Sequence, residues 1–114
     1  MPAGIHNITI EQGATWSQTF TWKVNGNPVD LTGYKARLYV RQASYNTILA
    51  LTTELLGGIT LNREQGTIDV LVSAQDTSSI LSGKHVYDLE VESSGGYVTR
   101  LLKGTFYVSA EVQL

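Results

Sequence analysis

Residues 15–23 read TWSQTFTWK. Side chains alternate along an extended strand, so Trp16, Phe20 and Trp22 share one face with Gln18, while Thr15, Ser17, Thr19 and Thr21 take the other. Burying three aromatic rings contributes on the order of several kcal/mol, more than any other segment of this chain offers. The core is therefore expected at this stripe.

The period of two continues outward in both directions. Upstream, residues 5–10 form a first strand with Ile8 and Ile10 on one side and Thr9 on the other, closed by a turn at Gln12-Gly13. Downstream, Asn25-Gly26-Asn27 tolerates the positive φ of a tight turn and predicts a hairpin into the short extended piece Val29-Asp30-Leu31. Residues 33–42 place Ala36, Leu38 and Val40 inward and Lys35, Arg37, Tyr39 and Arg41 outward. Residues 47–53 and 59–61 read either as two strands or as one strand and an edge return around Leu56-Gly57-Gly58. Residues 67–73 turn Ile68, Val70 and Val72 inward. The period then changes over residues 74–81, where Ser73 or Asp76 caps one helical turn that packs Ile80 and Leu81 downward before Gly83. A long hairpin follows: residues 84–92 with Tyr87, Leu89 and Val91 inward, a turn at Ser93-Ser94-Gly95-Gly96, and a return over residues 97–103. Gly104 interrupts the pattern, as at a bulge or a close backbone approach, and Phe106 and Val108 carry the core beyond it. Together these predict an all-β, antiparallel two-layer β-sandwich of immunoglobulin-like size, with about seven strands and one short helical turn. The same spacing also fits a small barrel.

A chain of 114 residues is expected to form a single domain spanning 1–114. Eight Lys and Arg against ten Asp and Glu leave a net charge of -2, so no global positive field draws in nucleic acid or an anionic membrane, and neither is an expected partner. No run of eighteen apolar residues occurs, and Met1-Pro2-Ala3-Gly4 opens without a basic or apolar leader pattern, so synthesis in the cytoplasm is expected. The absence of cysteine removes disulfides, thiolate metal sites and cysteine nucleophiles.

Candidate chemistry is sparse. Asp88, Glu90 and Glu92 line one strand face about 7 Å apart, without the converging loops calcium needs or a facing carboxylate for glycoside hydrolysis. The simpler reading sets them opposite Lys35, Arg37 and Arg41 on an adjacent strand, each pair adding about 0.2–1 kcal/mol; Arg37 or Arg41 then lies within ion-pair distance of Glu90 or Glu92. His6 and His85 lack a second histidine at metal spacing, no nucleophile elbow is present, and the glycines do not build a phosphate cradle. No catalytic, cofactor or metal site is expected, and no enzyme activity. Tyr39 flanked by Arg37 and Arg41 carries the residue types most enriched in protein–protein hot spots, so these three are the candidate partner interface; equally, Tyr39 covers the stems of its neighbours. Trp16 and Trp22, were their face open, would offer a sugar-stacking platform.

The strings Gly13-Ala14-Thr15-Trp16, Phe20-Thr21-Trp22 and Pro28-Val29-Asp30-Leu31-Thr32-Gly33-Tyr34-Lys35-Ala36-Arg37-Leu38-Tyr39-Val40-Arg41 resemble a family of small proteins encoded by tailed bacteriophages and prophages. Gly66-Thr67-Ile68, Val86-Tyr87-Asp88-Leu89-Glu90-Val91, Arg100-Leu101-Leu102-Lys103-Gly104 and Val108-Ser109-Ala110-Glu111-Val112 look like the same family's later signature. The resemblance implies a non-enzymatic virion structural protein, a β-sandwich of the tail, baseplate, neck or fibre-attachment region. Its implied partners are other virion proteins and copies of itself, as a homo-oligomer or ring. A capsid decoration protein and a carbohydrate-binding module for host surfaces are the alternatives.

Overall fold

The computed structural model describes residues 3–42, 46–53 and 56–111; Met1, Pro2 and Val112, on which parts of the sequence reading fall, lie outside them. Among the described residues are β1 (Gly4–Ile5), β2 (Ile8–Glu11), β3 (Trp16–Thr21), β4 (Lys23–Val24), β5 (Asn27–Pro28), β6 (Lys35–Gln42), β7 (Asn46–Thr52), β8 (Ile59–Asn62), β9 (Thr67–Val72), α1 (Ala74–Ser79), β10 (Gly83–Glu92) and β11 (Val98–Ser109). The fold is all-β, with eleven strands rather than about seven. The excess arises where one expected strand is cut in two or a turn is long enough to pair with itself.

The β10–β11 hairpin is the spine of a six-stranded sheet. β6 pairs with the other side of β10, β7 lies outside β6, and both β1 and β2 line the outer edge of β11. β1 and β2 run parallel to β11, a departure from the antiparallel expectation. They are one strand broken at His6-Asn7, where the chain crosses Gly104. β3, β9 and β8 form a second, three-stranded sheet in that order, and β4–β5 is the hairpin turned by Asn25-Gly26. The two segments around Leu56-Gly57-Gly58 are thus separate strands in different sheets.

Alternation places the inward residues of both sheets in one buried cluster. The larger sheet supplies Ile8, Ile10, Leu38, Val40, Tyr87, Leu89, Val91, Phe106 and Val108, and the smaller one Ile59, Ile68, Val70 and Val72. Trp16, Phe20 and Trp22 are only partly buried and pack against this cluster from its margin. The centre of the core therefore does not lie on the aromatic stripe. Its largest fully buried side chain is Phe106, which meets Trp16 edge-on at 6.3 Å and Tyr87 at 6.1 Å. β3 is an edge strand, and bulky rings on an edge keep one flank toward solvent.

Ser73 caps α1, its Oγ accepting from the Asp76 amide at 3.1 Å, while Asp76 sits in the first turn. Ile80 is buried, but Leu81 points outward at 65% exposure, contrary to the expectation that both pack down. Thr77, fully buried, is held by its hydroxyl donating to the Ala14 carbonyl at 2.8 Å and accepting from the Gly13 amide at 3.0 Å. This pins the turn after β2 to the helix.

Gly104 marks a close backbone approach. It lies opposite Tyr87 across β10–β11, and the His6 backbone passes directly over it. The Tyr87 hydroxyl donates to the His6 carbonyl at 2.6 Å, and the His6 amide donates to the Lys103 carbonyl at 3.0 Å. Burial pushes the Tyr87 phenol up to about 12. The folded state thus favours the protonated phenol, so this contribution is complete below pH 10 and is lost as pH rises from 10 to about 12. Urea midpoints measured across that window are expected to fall less for Tyr87→Phe than for the parent, although the variant starts about 1 kcal/mol weaker for want of the hydrogen bond. Equal alkaline losses in both proteins would contradict the assignment.

Candidate functional site

β6 and β10 are adjacent and antiparallel, with Glu90 opposite Arg37, Asp88 opposite Tyr39 and Glu92 opposite Lys35. Because every second residue of each strand faces away from the core, this register gathers the cations of β6 and the carboxylates of β10 on one outer surface. Arg37 bridges two acids, its Nε at 3.0 Å from Glu90 Oε1 and its Nη1 at 3.0 Å from Glu92 Oε1. Arg41 Nη1 stands 3.0 Å from Asp88 Oδ2, and Lys35 Nζ 3.6 Å from Glu92 Oε2. The ion pairing anticipated between these strands is present.

Arg37, Tyr39 and Arg41 do share this face, but their chemistry is largely turned toward neighbours. The Arg41 guanidinium lies over the Tyr39 ring, 5.3 Å from its centroid, and Tyr39 is half-buried. Hydrogen bonds from the Arg37 guanidinium hold the Glu92 carboxyl below the usual carboxylate range, and Glu92 and Glu90 in turn raise Arg37. A carboxylate lowered in the folded state stabilises above its ordinary range, and that contribution disappears as acid carries pH down through the depressed value. The three cations of β6 and the three carboxylates of β10 thus face one another as a ladder of ion pairs.

One member escaped sequence reasoning. Arg100 of β11 reaches Glu90 Oε2 with Nη2 at 3.3 Å and Asp88 Oδ2 with Nε at 3.8 Å, completing the ladder on its far side. It arrives there because the β10–β11 register shifts between Leu89 and Glu90, leaving Leu101 as the extra residue. Such a bulge has no residue signature of its own here, so period-two counting from Gly104 puts Arg100 on the same side as Leu102.

The remaining candidates are scattered. His6 contacts Gln18, Nε2 to Nε2 at 3.1 Å, and lies edge-on to Phe20 at 5.4 Å. His85 is buried with Nε2 at 2.7 Å from the Leu81 carbonyl. Among the described residues no cluster of three His, Asp or Glu side chains is placed to hold a metal. Trp22 packs edge-on to Tyr34 at 6.0 Å and, with Phe20, Ile68, Leu89, Leu101 and Leu102, lines a crevice of about 230 Å³ between β3 and β11 whose wall also includes Lys23 and Arg100. No acid or imidazole lines it.

No protein-family model matches the chain, and no curated protein matches it.

Proposed function

We propose that this chain is a non-enzymatic structural component of a bacteriophage virion, an assembly or attachment module of the tail, baseplate or neck present in several copies. In this reading the two sheets stack face to face as a two-layer sandwich of immunoglobulin-like size. The phage family resembled by the strings around Trp16, Trp22 and residues 28–41 supplies the identity. The observation that carries the non-enzymatic part is the outer ladder: its carboxylates and guanidiniums bond to one another across β6, β10 and β11 instead of converging on a reactant. An ion-paired face that carries Tyr39 between Arg37 and Arg41 suits side-by-side packing against another subunit, where arginine and tyrosine are favoured.

The test is compositional. Particles banded from a lysate of the organism that encodes the chain should contain it at a fixed ratio to their major proteins by mass spectrometry. Alanine at Arg37, Tyr39 and Arg41 together should lower that ratio severalfold while the purified variant still melts cooperatively. Particles devoid of the chain would overturn the virion reading; a triple variant incorporated at the parental ratio would remove this face as the contact. The crevice beside Trp22 is the single feature favouring a carbohydrate-binding module, and saturable quenching of tryptophan fluorescence by soluble oligosaccharides would move the reading there.

A further inference from the structure

A side-chain amide reacts with its own backbone when a nucleophile lies within reach, its approach is unhindered and the chain is free to turn. Asparagine followed by glycine meets the first two conditions, because glycine lacks the Cβ that would shield its amide nitrogen. Of the five asparagines, Asn7, Asn25, Asn27, Asn46 and Asn62, Asn25 alone precedes a glycine. Asn25 and Gly26 form the tip of the β4–β5 hairpin, both exposed and both at positive φ, 53° and 81°, as a type I′ turn requires. Among the described residues neither the Gly26 amide nor the Asn25 side-chain amide has a hydrogen-bond partner, and a Cβ built on Gly26 would meet nothing within 4 Å.

The third condition is met by a weakly built hairpin. β4 and β5 have two residues each, all exposed, and pair only with one another, Lys23 opposite Pro28 and Val24 opposite Asn27. An isolated two-stranded ribbon is marginal in water, so its tip opens locally at low cost while the Val29 amide, bonded to the Trp22 carbonyl at 2.9 Å, keeps the base closed. Opening frees ψ of Asn25 to bring its Cγ against the Gly26 nitrogen. The other asparagines each lack a condition. Asn27 precedes Pro28, whose nitrogen has no proton to give up. Asn7 precedes the β-branched Ile8, and its Oδ1 accepts from the Thr105 amide at 3.1 Å. Asn46 and Asn62 lie in β7 and β8 and precede Thr47 and Arg63.

We propose that Asn25 is a site of spontaneous deamidation. The Gly26 nitrogen gives up its proton and bonds to Asn25 Cγ, the Cγ–Nδ2 bond breaks, and the side-chain nitrogen leaves as ammonia, closing a cyclic imide. Water then opens the ring, and neither oxidant nor reductant takes part. Attack at Cγ breaks its bond to the Gly26 nitrogen and yields aspartate; attack at the main-chain carbonyl yields isoaspartate, in which the backbone runs through the side-chain carbon. Either product places a new carboxylate next to the exposed Val24. Isoaspartate also adds one backbone atom to a two-residue turn whose length sets the pairing of Val24 with Asn27. None of this depends on the virion reading.

The experiment incubates the purified full chain in mildly alkaline buffer at physiological temperature, native and in urea, and maps conversion of amide to acid by peptide mass spectrometry, with fragmentation that separates aspartate from isoaspartate. In the native protein, conversion at Asn25 should outpace that at Asn7, Asn46 and Asn62 severalfold, with isoaspartate the major product and Asn27 unchanged. On ion exchange the parent should accumulate an acidic form that Asn25→Gln, whose longer side chain closes a larger ring slowly, does not; circular dichroism confirms the variant's fold, and should it not fold, the peptide map of the parent decides alone. An Asn25 that persists as the amide in the native protein, whether or not it converts in urea, would overturn the proposal. So would conversion without isoaspartate, equal conversion at several asparagines, or an acidic form that grows equally in folded Asn25→Gln.

Discussion

Phe106→Ala should destabilise the fold by about 3–5 kcal/mol, the largest loss expected from any single truncation here. Phe106 is fully buried, touches Trp16 from the other sheet and Tyr87 from its own, and faces Ile8 across the parallel β2–β11 pair. Removing the ring subtracts the transfer free energy of its apolar surface and leaves a cavity. The surrounding β-branched side chains, stiff at χ1, fill that space poorly. Against a total stability of about 5–15 kcal/mol for a domain of this size, such a loss consumes a large fraction. Chemical denaturation of both proteins reads it directly. By contrast, Trp16→Ala or Phe20→Ala should cost less, because both rings already keep part of their surface in water. A Phe106 variant no weaker than the Phe20 variant would place the centre of the core back on the aromatic stripe.

Gly104→Ala is the second. A methyl group there would lie 2.9 Å from the His6 carbonyl carbon and 2.9 Å from Asn7 Oδ1, the latter already accepting from the Thr105 amide at 3.1 Å. Both obstacles are tied down: the His6 carbonyl accepts the Tyr87 hydroxyl, and the His6 amide is bonded to Lys103. Backbone rather than a flexible side-chain end must therefore move. The expected cost is about 1–3 kcal/mol. It should be local in character, with β1 and β2 lifted from β11, so amides of residues 4–11 should lose hydrogen-exchange protection while those of β6 and β10 keep theirs. Gly104→Ala at parental stability with protected N-terminal amides would show that the crossing is not as close as described.

The strand alternation of β6, β9 and β10, a helix cap at Ser73 or Asp76 and the hairpin at residues 93–96 were all readable residue by residue, because each depends on neighbours two to four positions apart. So was ion pairing of Arg37 or Arg41 with Glu90 or Glu92, since opposite charges at matching spacing on two half-buried strands favour one register; that Arg37 bridges both acids came from the structure. Arg100 was not, because its position depends on one extra residue, Leu101, in its own strand opposite β10. Neither was the marginal placement of Trp16, Phe20 and Trp22. Ring size says how much a buried aromatic contributes, but not whether its strand stands in the middle of a sheet or at its edge.

Sequence alone determined that this chain is built of short strands, that its net charge is -2, and that cysteine chemistry is absent. Those properties are local or additive, and no folding is needed to add them up. Tertiary structure decided which strands are edges and that β1 and β2 join β11 in parallel across Gly104. Each of these is a relation between segments tens of residues apart, set by the packing of whole sheets and by the order in which their edges are used.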